Sequence, residues 1–181
     1  MRIIGGRWKG RRLDGPGEGT RPTSDRVREN LFNILANGPF RDVLTNARVL
    51  DLFSGTGALG LEALSRGAMH ATFVEKSRSA AKIVERNMAL VDTGDTSTLL
   101  VADATRLPRT KEAATLIFAD PPYRSGLGPR ALTSALSSGW AIRGTLAVVE
   151  EAGPISADGW TTRDSRAYGG TVLSFLEAEG A

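Results

Sequence analysis

The sequence predicts an α/β fold, a mostly parallel sheet with helices on both faces and an antiparallel hairpin closing one edge. Three observations predict it. From Arg48 onward, short apolar runs alternate with segments of helical periodicity. The run GTLAVVEE at 144–151 is apolar at consecutive positions, as a strand buried on both faces requires. Two further runs of strand character, WTTRDSRAYG and TVLSFLEA, meet at Gly169 and Gly170, the residue type a tight turn needs.

Taken in order, RIIGGRWKGRRL at 2–13 has an apolar run, a Gly-Gly break and a basic run, which reads as a β-hairpin. DGPGEGTRPT follows and reads as a linker with turns. SDRVRENLFNILANG supplies Ser24 and Asp25 as caps, Val27, Leu31, Ile34 and Leu35 at helical spacing, and Gly38 as a stop. ARVLDLF is the first strand of the body, ALGLEALSRG a helix closed by Gly67, ATFVE a second strand and SRSAAKIVERNMALV a second body helix. STLLVAD and TLIFAD are further strands, and PRALTSALSSG is a helix. TRLPRTKEAA, between the third and fourth strands, is short and irregular, so the third crossover helix is left unassigned. The expected organisation is a basic hairpin arm with its linker over residues 1–20 and one catalytic domain over 21–181.

Composition narrows the chemistry. There is no cysteine among the 181 residues, which excludes disulfides, thiolate metal sites and cysteine nucleophiles. His70 is the single histidine, so a serine triad or a multi-histidine zinc site has no material; it reads as a surface residue in a polar connection after Gly67. No metal site is expected. No apolar run approaches the roughly 18 residues of a membrane span, and MRIIGGRWKG lacks a signal-peptide core, so a soluble cytoplasmic protein is expected. Residues 1–30 carry eight Arg and Lys against four Asp and Glu and hold the whole positive excess of a chain of net charge +3. A basic arm on a near-neutral body suits a polyanion, since each neutralised phosphate releases counterions. Arg7, Lys9, Arg11 and Arg12 are the candidate contacts, with Trp8 either stacking on a base or pinning the hairpin.

DLFSGTGALG sets Gly55, Gly57 and Gly60 between a strand and a helix, with Glu75 ending the next strand. The spacing satisfies the dinucleotide fingerprint, and the glycines permit a tight turn and close backbone approach of a ligand. The motif does not name its cofactor. Charge bears on the choice: Asp51, Glu75, Asp103 and Asp120 fall at the ends of four successive strands, at the sheet edge where ligands of such folds bind. That concentration of carboxylates repels a pyrophosphate and attracts a cation. S-adenosyl-L-methionine, with a sulfonium and an amino group, fits. Asp51 then holds the methionine end, Glu75 the ribose hydroxyls, and Asp103 with the Ala104 backbone the adenine edge.

ADPPY ends the fourth strand. An exocyclic nucleobase amine is a poor nucleophile because its lone pair is delocalised into the ring, so it needs acceptors. Asp120 and the Pro121 carbonyl can take its two hydrogens, Pro121 and Pro122 stiffen the turn, and Tyr123 can stack on a base swung out of its helix.

RIIGGRWKGRRL, TRPTSDRVRENLFNIL, DLFSGTGALGLEALSRGA and ADPPY together resemble the RsmD family of class I methyltransferases dependent on S-adenosyl-L-methionine. The resemblance covers most of the chain. It implies a Rossmann-like sheet of seven strands in the order 3-2-1-4-5-7-6, and methylation of a guanine N2 amine in 16S ribosomal RNA within small ribosomal subunits or their assembly intermediates. It also implies roles beside the pocket for Arg21, Thr23, Arg26 and Arg28, and a monomer. The expected cofactor set is Asp51, Phe53, Ser54, Gly55, Thr56, Gly57, Glu75, Lys76, Asp103, Ala104 and Asp120. Three alternatives stand beside it: an adenine-N6 methyltransferase, which ADPPY fits equally well, a NAD-dependent oxidoreductase, supported by the glycine motif alone, and a nonenzymatic RNA-binding module.

Overall fold

The computed structural model describes residues 1–15 and 25–180. Seven strands form one sheet in the order β3-β2-β1-β4-β5-β7-β6. They are β1 (Arg48–Leu52), β2 (His70–Glu75), β3 (Ser97–Val101), β4 (Leu116–Ala119), β5 (Leu146–Glu151), β6 (Trp160–Tyr168) and β7 (Thr171–Ala178). The first five pair in parallel; β7 joins β5 and β6 antiparallel. Among the described residues four α-helices accompany them: α1 (Asp25–Asn37), α2 (Ala58–Ser65), α3 (Arg78–Val91) and α4 (Leu127–Ser137).

Strand periodicity divides the core into two layers. Val49, Phe73, Leu116, Phe118, Leu146 and Val148 point to one face, where α1, α2 and α3 lie, and Phe118 meets Phe32 of α1 with ring centroids 5.7 Å apart. Leu50, Val74, Ile117, Ala119, Ala147 and Val149 point to the other, under Ala131, Leu132 and Ala135 of α4. β1, β2, β4 and β5 run through the core, β3 is a half-exposed edge strand, and ligands of such sheets bind at the carboxyl ends of the strands.

The arm is a docked structure. Ile3 and Leu13 belong to the same core layer as α1 and α2. Among the described residues the expected hairpin is one bridge, Arg2 with Arg12, extended by the Gly10 amide donating to the Ile3 carbonyl at 2.9 Å, and a partner distant in sequence limits it. The amides of Ile4 and Gly5 donate to the two oxygens of Glu62 on α2 (2.7 and 2.8 Å) instead of to an opposing strand. Arg66 completes the buried Glu62 with a 2.7 Å ion pair. Ser65 donates to the Gly5 carbonyl at 2.6 Å and accepts from the Trp8 amide at 3.0 Å. Gly6 (φ 76°) sits so close that a Cβ there would lie 1.8 Å from the Ser65 carbonyl oxygen.

Two expectations are corrected here, and the crossover left unassigned is filled in. Arg28, expected to face RNA, is 1 % exposed; its guanidinium donates to the Arg2 carbonyl at 2.5 Å and to Asp25 at 2.9 Å, so it fastens the arm to α1. His70 is no surface-connection residue but the first residue of β2, half-buried. The crossover from β3 to β4 contains only a 3-10 turn, Ala104–Arg106, in place of a helix.

Candidate active site

The carboxyl ends of β1, β2 and β4 bring Asp51, Glu75 and Asp120 together. Asp51 is 2 % exposed, and its Oδ2 accepts from the Gly60 amide in the first turn of α2 at 2.9 Å. Burial pushes its carboxyl up to about 8, against the lowering pull of that amide, and the charges of Asp120 and Glu75 add to the rise. Glu75 accepts from the Gly55 amide at 2.9 Å and from Ser77 at 2.7 Å, so it buttresses the glycine loop from below.

The loop itself is strained. Phe53 has φ 59°, a conformation that costs an aromatic residue roughly 1–3 kcal/mol. Its ring is thereby aimed into a cavity of about 330 Å3 at this edge, lined also by Glu75, Lys76, Asp103, Ala104 and Pro122. Gly57 (φ 76°) turns the chain into α2. Gly60 serves packing: a Cβ there would lie 2.4 Å from Phe73 and 3.1 Å from the Asp51 carboxylate.

Asp103 accepts from Lys76 at 2.8 Å and from the amide and hydroxyl of Thr105 at 2.9 and 2.7 Å. These bonds, Lys76 foremost, hold its carboxyl well below the usual carboxylate range. The four-carboxylate rim expected from sequence is therefore uneven. Asp103 is ionised but paired, and Asp51 keeps its proton at neutral pH.

ADPPY begins with Ala119, the last residue of β4, and its DPPY follows the strand directly. Pro121 is buried and Pro122 exposed, so the turn is anchored on one side only. The half-buried Tyr123 donates its phenol to Glu150 Oε1 (2.8 Å) and lies 2.7 Å from the Thr171 hydroxyl. Burial pushes that phenol up to about 12, with Glu150 adding to the rise and the Thr171 hydrogen bond opposing it, so Tyr123 is neutral at any physiological pH. Arg124 takes positive φ (58°), and its amide donates to Glu151 at 2.6 Å.

The residues fit S-adenosyl-L-methionine. The cavity pairs apolar walls for a flat heterocycle (Phe53, Ala102, Ala104, Leu127) with acidic groups at its rim. Ser54 Oγ is buried and has no hydrogen-bond partner among the described residues, a cost a ligand group would relieve. Among the described residues no cluster of His, Asp and Glu could hold a metal ion.

The family described as Conserved hypothetical protein 95 matches residues 1–177. The Ribosomal RNA small subunit methyltransferase D of Escherichia coli K12 is 40% identical over 151 residues, 83% of this chain and 74% of the relative. That of Haemophilus influenzae is 32% identical over 93% of this chain and 89% of its own. The solved structure of Escherichia coli yhhF, provisionally named a methyltransferase, superposes with a TM-score of 0.84 at 35% identity, covering 100% and 99% of the two chains. The chain belongs to this methyltransferase family. Its strand order is the one the resemblance implied.

Of the residues expected to face RNA, Arg7, Lys9, Arg11 and Arg12, read from the arm's charge, are exposed, and Arg26, implied by the resemblance, is exposed on the first turn of α1. Trp8 is half-buried against the core layer, with the Arg7 guanidinium 4.0 Å over its ring. Arg21 and Thr23 lie outside the described residues. Sequence reasoning missed Glu150, Glu151 and Thr171, which hold the ADPPY turn. Two adjacent acids ending an otherwise apolar strand were the available signal.

Proposed function

We propose that this chain is a methyltransferase that uses S-adenosyl-L-methionine to modify the exocyclic N2 amine of a guanine in 16S ribosomal RNA. The carrying observation is the ADPPY turn, braced by Glu150, Glu151 and Thr171, at the mouth of the cavity beside Asp51 and Glu75. When bound, the cofactor supplies an electrophilic methyl group. Glu75, Lys76, Asp103, Ala104 and the Phe53–Gly57 loop would hold its adenosine portion, and Asp51 its cationic methionine end.

The chain's own groups act on the nucleobase. Asp120 and the Pro121 carbonyl accept the two amine hydrogens, which favours the pyramidal geometry whose lone pair is free to react. The prolines fix these acceptors beforehand, so little reorganisation accompanies the reaction. Tyr123, neutral and tethered at its hydroxyl, offers a rigid ring for stacking rather than a base. The arm and α1 supply Arg7, Lys9, Arg11, Arg12 and Arg26 to the RNA backbone. Small subunits or their assembly intermediates are the substrate, and the enzyme acts as a cytoplasmic monomer; no helix among the described residues is long and apolar enough to cross a membrane.

Radiolabelled S-adenosyl-L-methionine offered with naked 16S RNA, small subunits and DNA, followed by nucleoside analysis, tests the substrate. Label in N2-methylguanosine from small subunits is expected, and label in N6-methyladenine would overturn it. Asp120→Ala should keep cofactor binding and lose turnover by at least about a hundredfold. Wild-type turnover in that variant would remove Asp120 from the mechanism.

A further inference from the structure

A second cavity, about 280 Å3, opens at the opposite edge of the sheet, where β1, β2 and β3 begin. One strand length, about 17 Å, separates it from the catalytic edge. It exists because the crossover helix is missing: after the turn at Ala104–Arg106 the chain runs irregularly from Leu107 to Thr115 and forms a wall instead of a lid. That wall is anchored. Trp140 Nε1 donates to the Pro108 carbonyl at 2.8 Å, Ala114 donates to the Trp140 carbonyl at 2.8 Å, and Thr110 donates to Ser138 at 3.0 Å.

The lining is unlike a solvated loop crevice. Arg48 and Arg109 contribute guanidinium groups, and among the described residues only Arg48 is paired with an acid, the exposed Glu112. His70, the one histidine of the chain, lies 3.2 Å from the Thr98 hydroxyl, and Thr110 adds another hydroxyl. Trp140, fixed by its indole bond to Pro108, supplies an aromatic wall with Leu100 and Val49. Guanidinium and imidazole suit a phosphate, threonine hydroxyls suit a ribose, and an aromatic wall suits a base. Inorganic phosphate alone would leave the aromatic side of the cavity unused.

We infer that this cavity is a nucleotide site, taking a nucleoside monophosphate unit with its phosphate on Arg109 and its base on Trp140. Free nucleotide and an unpaired nucleotide of an RNA chain present the same chemistry. The inference does not rest on the methyl-transfer reading, and its test requires no turnover.

Because His70 is the only histidine, its ring carbon-proton resonance reports on this cavity without overlap. In the free protein burial lowers the His70 pKa, and the Arg48 charge adds to that lowering. A bound phosphate opposes the Arg48 effect. Titrating the full-length protein with AMP, with inorganic phosphate and with a single-stranded tetraribonucleotide should give a saturable His70 shift for AMP, the tetranucleotide or both. Half-saturation is expected below about 1 mM. A response to AMP alone assigns a free nucleotide, and a response to the tetranucleotide alone assigns an RNA chain. Arg109→Ala, on an exposed loop, should weaken binding about tenfold, as loss of a charge-assisted bond does. No saturable shift up to about 10 mM with any probe, an equal response to inorganic phosphate and AMP, or wild-type affinity in Arg109→Ala would each overturn the inference.

Discussion

Asp51 carries the sharpest prediction, because its proton must leave before its charge can serve a cationic donor. Burial, with Asp120 and Glu75 nearby, lifts its carboxyl to about 8 in the free protein. A sulfonium and an ammonium placed at this rim favour the ionised form, so cofactor binding releases the proton. If the bound form ionises below pH 5.5, affinity should rise with pH between 5.5 and 7. The ratio of protonated to ionised Asp51 changes from about 300 to about 10 across that range, giving a gain of up to about thirtyfold. The ligand's own ammonium, like any α-amino group of pKa about 7.7–8.0, stays protonated below pH 7 and does not interfere. Calorimetric titrations of S-adenosyl-L-methionine in buffers of different ionisation enthalpy should count about one proton released at pH 6. Asp51→Asn keeps the shape and the acceptor for the Gly60 amide but has nothing to release, so its affinity should be flat over the same range. A flat profile in the wild type, or an equally steep one in Asp51→Asn, would refute the argument. The same shift sets the sign for stability without ligand: the benefit of protonating Asp51 is complete below its unfolded value of 3.8 and is lost as pH rises toward about 8.

Three further outcomes are expected. Gly60→Ala drives a Cβ into the Phe73 ring, so denaturant unfolding should show a loss of about 1–3 kcal/mol, together with weakened cofactor binding through the displaced Asp51. Replacing Arg7, Lys9, Arg11 and Arg12 by Ala should lower RNA affinity and reduce the slope of log affinity against log salt by up to about 3, with cofactor affinity unchanged. Tyr123→Phe keeps the ring and loses the tether to Glu150 and Thr171, so turnover on small subunits should fall about three- to tenfold, and Tyr123→Ala should fall further.

The sheet was legible because its signals are local. Consecutive apolar residues in Leu146–Glu151 mark a strand covered on both faces, and Gly57 at φ 76° does what glycine between a strand and a helix is expected to do. Positions at strand ends were legible for the same reason, since the period of a strand fixes which residue meets the edge. What escaped was everything decided by a partner distant in sequence. Arg28 looked like one more basic residue in a basic segment; only the Arg2 carbonyl, 26 residues earlier, makes it a fastener. Asp103 looked like a free acid until Lys76 was found beside it. His70 looked exposed because nothing in its own neighbourhood announces that the 107–115 wall stands over it.

Asn87 shows how far such a partner can reach. It lies in the second half of α3, 0 % exposed, where sequence alone offers an unremarked polar residue between Arg86 and Met88. Its amide nitrogen donates to the Thr56 carbonyl in the glycine loop (2.9 Å) and to the Asp14 carbonyl at the end of the arm (3.1 Å), while its oxygen accepts from the Asp14 amide (2.7 Å). A buried amide with this set of bonds can tolerate little movement at either end, because each lost bond leaves a desolvated group costing about 1–3 kcal/mol. The arm and the glycine loop are therefore held in one register through a single side chain, with Glu62 and Arg28 fastening the arm at its other end. A basic segment gripped this way cannot swing freely to find its polyanion. It presents Arg7, Lys9, Arg11 and Arg12 at a fixed offset from the loop, so in the proposed function an RNA substrate would be measured against the cofactor site rather than merely attracted toward it.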